Sequence, residues 1–212
     1  LLLPAIKNTI LIGTIAALLS TLVSLVVGFA AGYFRNPAAS LLKWFMDAFL
    51  AIPSLPFIIL ISTLLMRIDM FTVAVIIALF SWAGGARAIM AQALSIRERD
   101  FIQTLKLSGA SSLEAIKDIS LNILPFILAT FVNITRGAML TETGISILGL
   151  GRHQTTLGII IYMSTVVRAA IVRGLWWWWA PPAILLSIIM IFLYLINVGF
   201  DEIIDPRIRG KR

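Results

Sequence analysis

Few residues of this chain are of the kinds that perform catalysis or bind metals. It has no cysteine and a single histidine, His153, and the H-E-x-x-H, G-x-S-x-G and G-x-x-x-x-G-K-[ST] patterns are missing. A thiolate metal site, a nucleophile with its base and a P-loop for ATP are therefore not expected. We predict no catalytic residue, no metal ligand and no cofactor in this chain.

The chemistry that remains is that of isolated polar groups in apolar surroundings. Asn133, Arg136 and Glu142 follow one another in such a stretch. An arginine inside a bilayer is costly unless it is paired or faces water. Arg136 is therefore expected either to reach the outer headgroups or to line a polar pathway with Asn133 or Glu142.

The composition is that of an integral membrane protein. Of 212 residues, 60% are hydrophobic and 13% are charged, against about 25% charged in soluble domains. The net charge of +7 comes from basic residues that sit mainly between apolar runs. Lipid headgroups and a cytosolic partner, rather than nucleic acid, are the expected counterparts.

Charge-free stretches of about 20 residues predict membrane-spanning helices. There are five, at 8–34, 48–66, 70–86, 119–135 and 174–200. The stretch 153–167 is short for a span and is interpreted as interfacial or re-entrant; if it crossed, the basic tail would face outside. The whole chain, 1–212, is expected to form one membrane domain, with a preceding segment missing because no start methionine is present.

The distribution of Lys and Arg between the loops predicts the orientation. If the first span runs from outside to inside, eleven basic residues face inward and five outward, as the positive-inside rule requires. The C-terminus is then cytoplasmic. Trp176–Trp179 fall at the outer interface, as an anchor or as a docking surface for an external protein.

Two smaller patterns predict local structure. Gly28 and Gly32 are spaced for close packing of two helices. Pro53 and Pro56 either kink the second span or mark a plain helix start.

The stretch about 95–118 is the longest polar segment between predicted spans. Ser95 with Glu98, and Ser111 with Glu114, match the capping box that begins a helix. Gly109 lies between them, where a helix end favours glycine. The segment is either an ordinary helical hairpin or, because it keeps several apolar side chains, a projection that docks in a groove of another protein.

Several stretches resemble the permease subunits of binding-protein-dependent ATP-binding-cassette importers, in the dipeptide, oligopeptide and nickel branch. They are "LAIPSLPFIIL" (50–60), "SWAGGARAIMAQALSIRERDF" (81–101), "SIRERDFIQTLKLSGASSLEAI" followed by "NILP", "TETGISILGLG" (141–151) and "DEIIDPRIRG" (201–210). The chain departs from the family pattern at Gln103-Thr104-Leu105, where Glu-Ala-Ala is usual. The interval from Gly109 to Pro125 is also about one helical turn longer than is usual in that family.

The resemblance implies an all-α type I importer permease with about five membrane helices and a cytoplasmic coupling helix. The residues it implies for coupling to an ATPase are Phe101, Gln103, Thr104, Leu105, Lys106, Gly109, Ala110, Ser111, Leu113 and Glu114. It implies a second permease, two ATP-binding subunits that carry ATP and Mg²⁺, an external solute-binding protein, and the inner membrane of a prokaryote. Peptides are the expected solutes, with oligosaccharides or nickel as alternatives.

Other classes of membrane protein fit less well. A channel does not need a capped cytoplasmic projection, and an ion-coupled carrier normally keeps several buried acids, whereas only Asp47 and Glu142 lie near the membrane here. Co-purification with an ATPase would distinguish these alternatives.

Overall fold

A computed structural model describes residues 1–65, 69–97, 112–150 and 155–204. Side chains are described for all of these residues except 97 and 112–122. Within these ranges the fold is entirely helical, as predicted. The helices are α1 (Leu2–Tyr33), α2 (Pro37–Ala51), α3 (Ser54–Leu64), α4 (Met70–Arg97), α5 (Ser112–Ile147), α6 (Leu157–Tyr162) with a π-helical continuation (Met163–Val167), and α7 (Trp176–Ile204).

Helix α1 packs most extensively against α4, through a face of small residues. A Cβ atom on Gly28 would collide with the backbone carbonyl of Ala86, and one on Gly32 would lie 2.7 Å from the carbonyl oxygen of Met90. The predicted close packing at Gly28 and Gly32 is confirmed. Only glycine permits backbones to approach this closely.

Hydroxyl groups join the same two helices. Ser24 Oγ donates to the carbonyl of Trp82 at 2.7 Å, and Ser20 Oγ donates to the carbonyl of Ala78 at 3.3 Å. Both serines are buried, so these hydrogen bonds satisfy polar groups that neither water nor lipid could reach.

The predicted span 48–66 is not one helix, because the chain bends by 74° between α2 and α3; of the two alternatives for Pro53 and Pro56, the structure shows the kink. Asn36 begins α2 by accepting a hydrogen bond from the amide of Ala39 at 2.9 Å. Helix α2 ends at Ala51, and Pro53 precedes the first residue of α3. Proline disfavours a helical conformation in the residue before it, so the helix stops and a new one starts at a different angle.

Two other predicted boundaries differ from the structure. Ser95 was predicted to begin a helix, but it lies inside α4, which continues to Arg97. The predicted span 119–135 is part of a longer helix, α5, which continues through Pro125 and Arg136. A charged residue does not end a helix, and a proline removes only one of its hydrogen bonds when the neighbouring turns are stable.

Helix α4 begins with a capping interaction. The Asp69 carboxylate accepts a hydrogen bond from the amide of Thr72 at 2.9 Å. Hydrogen bonding to the side chain and backbone of Thr72 lowers the pKa of Asp69 from its usual 3.8. The carboxylate is therefore charged at neutral pH and complements the positive end of the helix dipole.

The described part of the segment 153–167 contains one short helix. Leu157–Val167 has eleven residues, about 16 Å at 1.5 Å per residue, roughly half the hydrocarbon thickness. Two turns with left-handed backbone, at Ala169 and Gly174, then lead into α7. This length fits the re-entrant or interfacial interpretation.

Within the described residues, four helices are long and apolar enough to cross a membrane, or five if the bent pair α2–α3 counts as one span. The predicted number of five is reached only with that pair. Helix α7 lies at the periphery, where only Pro182 is buried. Its exposed apolar side chains fit a surface that faces lipid or another subunit.

Candidate functional site

Arg136 lies within the apolar part of α5, which by length and composition can cross a membrane. The 17 residues before it, 119–135, carry no charge. The cost of about 2.5–3.5 kcal/mol for a charge there must be offset by local partners or by water.

The partners of Arg136 are neutral. Its Nη2 donates a hydrogen bond to Asn133 Oδ1 at 2.8 Å, and its Cζ lies 5.8 Å from the ring centroid of Tyr194 on α7. Over the ranges that the structure describes, the one ion pair joins Arg87 to Asp47 at 3.2 Å, and Arg136 forms none. The predicted Asn133 partner is present, whereas Glu142 is not in contact with Arg136.

A stripe along α5 that includes this pair is only partly covered by the residues that the structure describes. We call it the open face of α5 and define it by Asn133, Arg136, Gly137, Leu140 and Gly144. Asn133 and Leu140 are exposed, Arg136 is half-buried, and Cβ atoms on Gly137 and Gly144 would meet nothing within 4 Å. The open face is therefore accessible to whatever lies beside this chain in the membrane.

Glu142 has the opposite environment. It is only 2% exposed, and its Oε1 accepts a hydrogen bond from Ser146 Oγ at 2.7 Å. Its Oε2 is buried with no hydrogen-bond partner among the described residues. This position lies in the packed interior of the chain, away from the open face.

Residues that the sequence did not single out join α1 to the start of α6, close to Glu142. The amide of Leu157 donates to Thr9 Oγ1 at 3.0 Å, and Asn8 Nδ2 donates to the carbonyl of Thr155 at 2.9 Å. A Cβ atom on Gly158 would lie 2.7 Å from the Cβ of Ser146. These contacts hold the short helix α6 against α1 and α5.

Most of the predicted coupling residues lie outside the described residues: Phe101, Gln103, Thr104, Leu105, Lys106, Gly109, Ala110 and Ser111. Leu113 and Glu114 belong to the first turn of α5.

The architecture resembles a known membrane protein structure. An inward-facing crystal form of the MetNI methionine ABC transporter matches with a TM-score of 0.65 and 20% sequence identity, over 93% of this chain and 92% of that one. The similarity shows the fold, which is that of a type I importer permease. The class is therefore an all-helical, multi-pass membrane protein of that architecture.

The sequence assigns the family. Residues 24–210 match the model of the binding-protein-dependent transport system inner membrane component. The chain belongs to this family, which the resemblance predicted.

Relatives with similar sequences carry peptide-transport names. The oligopeptide transport system permease protein OppC of Lactococcus lactis subsp. cremoris is 30% identical over 146 residues, 68% of this chain and 50% of that protein. OppC of Mycobacterium bovis is 28% identical over 97% of this chain and 71% of its own length. A putative peptide transport system permease protein of Brucella suis is 32% identical over 93% and 66%. The chain thus spans about half the length of the Lactococcus relative.

Proposed function

We propose that this chain is the membrane-spanning subunit of an ATP-driven importer and forms half of its solute pathway. Family membership over residues 24–210 carries the proposal. Because several relatives are named oligopeptide or peptide transport permeases, the proposed solutes are dipeptides and oligopeptides.

The energy for import comes from other subunits in this proposal. The chain contains no P-loop sequence, so ATP and Mg²⁺ bind to two cytoplasmic ATPase subunits. A second permease of the same kind completes the pathway, and an external solute-binding protein delivers the solute. The C-terminus is cytoplasmic, following the distribution of basic residues.

The proposed link to the ATPase is the segment about 95–118, centred on Gly109. Its support is its position, since it joins α4, which ends at Arg97, to α5, which begins at Ser112. A projection carried on two long helices can transmit a movement of the ATPase to the membrane bundle.

The proposed pathway residues are Asn133 and Arg136, on the open face of α5. Their support is the presence of a partly exposed cation and an exposed amide within the apolar part of α5, where lipid would not solvate them. Glu142, the third predicted pathway residue, is proposed instead to position α6, since it is buried beside Ser146 and Gly158 of α6 packs against Ser146.

A coupling variant with a matched control tests this function. Gly109→Val should reduce both co-purification of the ATPase subunits and ATP-dependent peptide uptake into proteoliposomes. Gly199→Val places the same side chain in open space on α7 and should leave both measurements unchanged. Uptake that continues without the ATPase and follows an ion gradient would contradict the proposal and identify a secondary transporter.

A further inference from the structure

We infer that Arg136, with Asn133 and Tyr194, forms a binding site for a carboxylate of the transported solute, namely the C-terminal carboxylate of a peptide. The inference rests on the proposed function and adds to it the chemical group that the pathway recognises.

The guanidinium of Arg136 has unused hydrogen-bonding capacity. An arginine carries five N–H donors, and one of them is used, by Asn133. The other four have no acceptor among the residues that the structure describes, and no carboxylate there neutralises the charge. A carboxylate would supply both needs at once, because it accepts two parallel hydrogen bonds from a guanidinium.

The two neighbours of Arg136 orient the guanidinium but leave most of its N–H donors free. Asn133 contacts it from the preceding turn of α5, and the ring of Tyr194 contacts it from α7. Both neighbours are neutral, so they orient the cation but leave its charge available. The site is thus built from two helices rather than from one side chain.

A ligand can reach this position. Asn133 is exposed, Tyr194 is 54% exposed, and the space beside Gly137 is empty for at least 4 Å. A solute that crosses the membrane passes along the apolar segment of α5 that contains Arg136. A lipid phosphate is the other source of an anion here, and it would not distinguish a peptide acid from its amide.

The C-terminal carboxylate suits a transporter of many peptides. Each linear peptide carries this group whatever its side chains are, so a site for it does not restrict the sequence. The geometry of a planar guanidinium favours this bidentate anion over a neutral amide.

The test compares two solutes that differ only in this group. Trialanine and trialanine amide are each loaded to saturation on the external binding protein, and their ATP-dependent uptake is measured with the complete complex in proteoliposomes. The wild type should import the acid faster than the amide. Arg136→Gln should slow the acid by about tenfold, the loss expected for a charge-assisted hydrogen bond, and leave the amide unchanged.

Two further variants make the result specific. Arg136→Lys keeps the charge but not the planar fork and should give an intermediate ratio of acid to amide. Arg168→Gln removes another arginine that lies over an aromatic ring, Trp178 at 4.6 Å, and should keep the wild-type ratio. If the Arg136→Gln variant does not assemble with its partners, the ratio of acid to amide uptake in the Arg136→Lys variant decides whether the carboxylate site exists.

The possible outcomes separate this inference from the proposed function. Equal uptake of acid and amide by the wild type, or an unchanged ratio in the Arg136 variants, overturns the carboxylate site while peptide import stands. An equal loss of both peptides also overturns it and points to an acid of the second permease as the partner of Arg136. Import of neither peptide by the wild type refutes the proposed solutes, and this inference with them.

Discussion

Arg136 and Glu142 are two ionisable residues six positions apart on one helix, yet their surroundings are opposite. At about 100° per residue they point away from each other by roughly 120°. Arg136 reaches the open face, whereas Glu142 is buried beside Ser146. Ionisable groups within one span can therefore have different roles, one at a surface and one in packing.

The hydroxyl of Ser146 should contribute to stability because it satisfies the buried Glu142 carboxyl. We expect Ser146→Ala to lower the stability of the folded chain by about 0.5–1.5 kcal/mol, the usual net contribution of an intramolecular hydrogen bond. Ser187→Ala is the control, since Ser187 is exposed and donates to the backbone carbonyl of Ala183 rather than to a buried carboxyl. Thermal unfolding in detergent would compare them, and equal midpoints would contradict a stabilising role for this contact.

The residues of the candidate site differ in how far the sequence could reveal them. Arg136 and Asn133 were found because polar residues in an apolar stretch are visible in the sequence, and their three-residue spacing predicts a contact on a helix. Thr9 and Tyr194 were not found. Thr9 contacts a residue 148 positions away, and only the packing of the helices brings such pairs together.

At the scale of elements, the contact between α1 and α4 is the feature that most tightly constrains the sequence. We expect Gly28→Ala to lower stability by about 1–3 kcal/mol, because the added methyl group meets the backbone of Ala86 and cannot be accommodated without a shift.

The matched control for that substitution is Gly84→Ala, at an exposed position on α4 where a Cβ atom meets nothing within 4 Å. It should be neutral or slightly stabilising, since alanine favours helix more than glycine. Comparing the two by fluorescence-detected size exclusion after heating tests the packing. Equal midpoints would show that α1 and α4 are not so closely packed.

The sequence predicted that the elements are helices and roughly where they lie, but not where each helix begins and ends. Apolar stretches located the helices, since burial in lipid requires about 20 such residues. Their ends were predicted from charges, which is why α4 and α5 proved longer than expected. The bend at Pro53 could be anticipated as one of two alternatives, but its angle depends on what α2 and α3 pack against.

At the scale of the whole molecule, the short segment Leu157–Val167 determines the topology. Because it does not reach across the bilayer, α5 and α7 should be connected on the outer side. Cysteines introduced at Ser112 and Arg212 should be labelled by an impermeant reagent only from the cytoplasm, and one at Trp177 only from outside. The natural chain has no cysteine, so the unsubstituted protein provides the control. A tail labelled from outside would mean that segment 153–167 crosses.

This chain should have no ATPase activity by itself. It carries no P-loop, and backbone amides that cradle phosphates are needed to bind ATP in this way. Purified protein should neither hydrolyse ATP nor shift the fluorescence of a nucleotide analogue. When the ATPase subunits are added, both ATP hydrolysis and the fluorescence shift should appear. Hydrolysis by the isolated chain, free of contaminating enzyme, would refute this expectation.

The interlocking of α1 with α4 limits the degrees of freedom of the molecule. Neither helix can slide or turn along the other, because Gly28 and Gly32 are seated on the backbone of the opposite helix and two serines are bonded across the contact. The pair must therefore move as one rigid body, and any opening must occur at other boundaries. In the proposed complex, spin labels at the exposed positions Val26 and Leu79 should keep one distance distribution with and without ATP. Labels at Leu79 and at the equivalent position of the proposed second permease should change theirs.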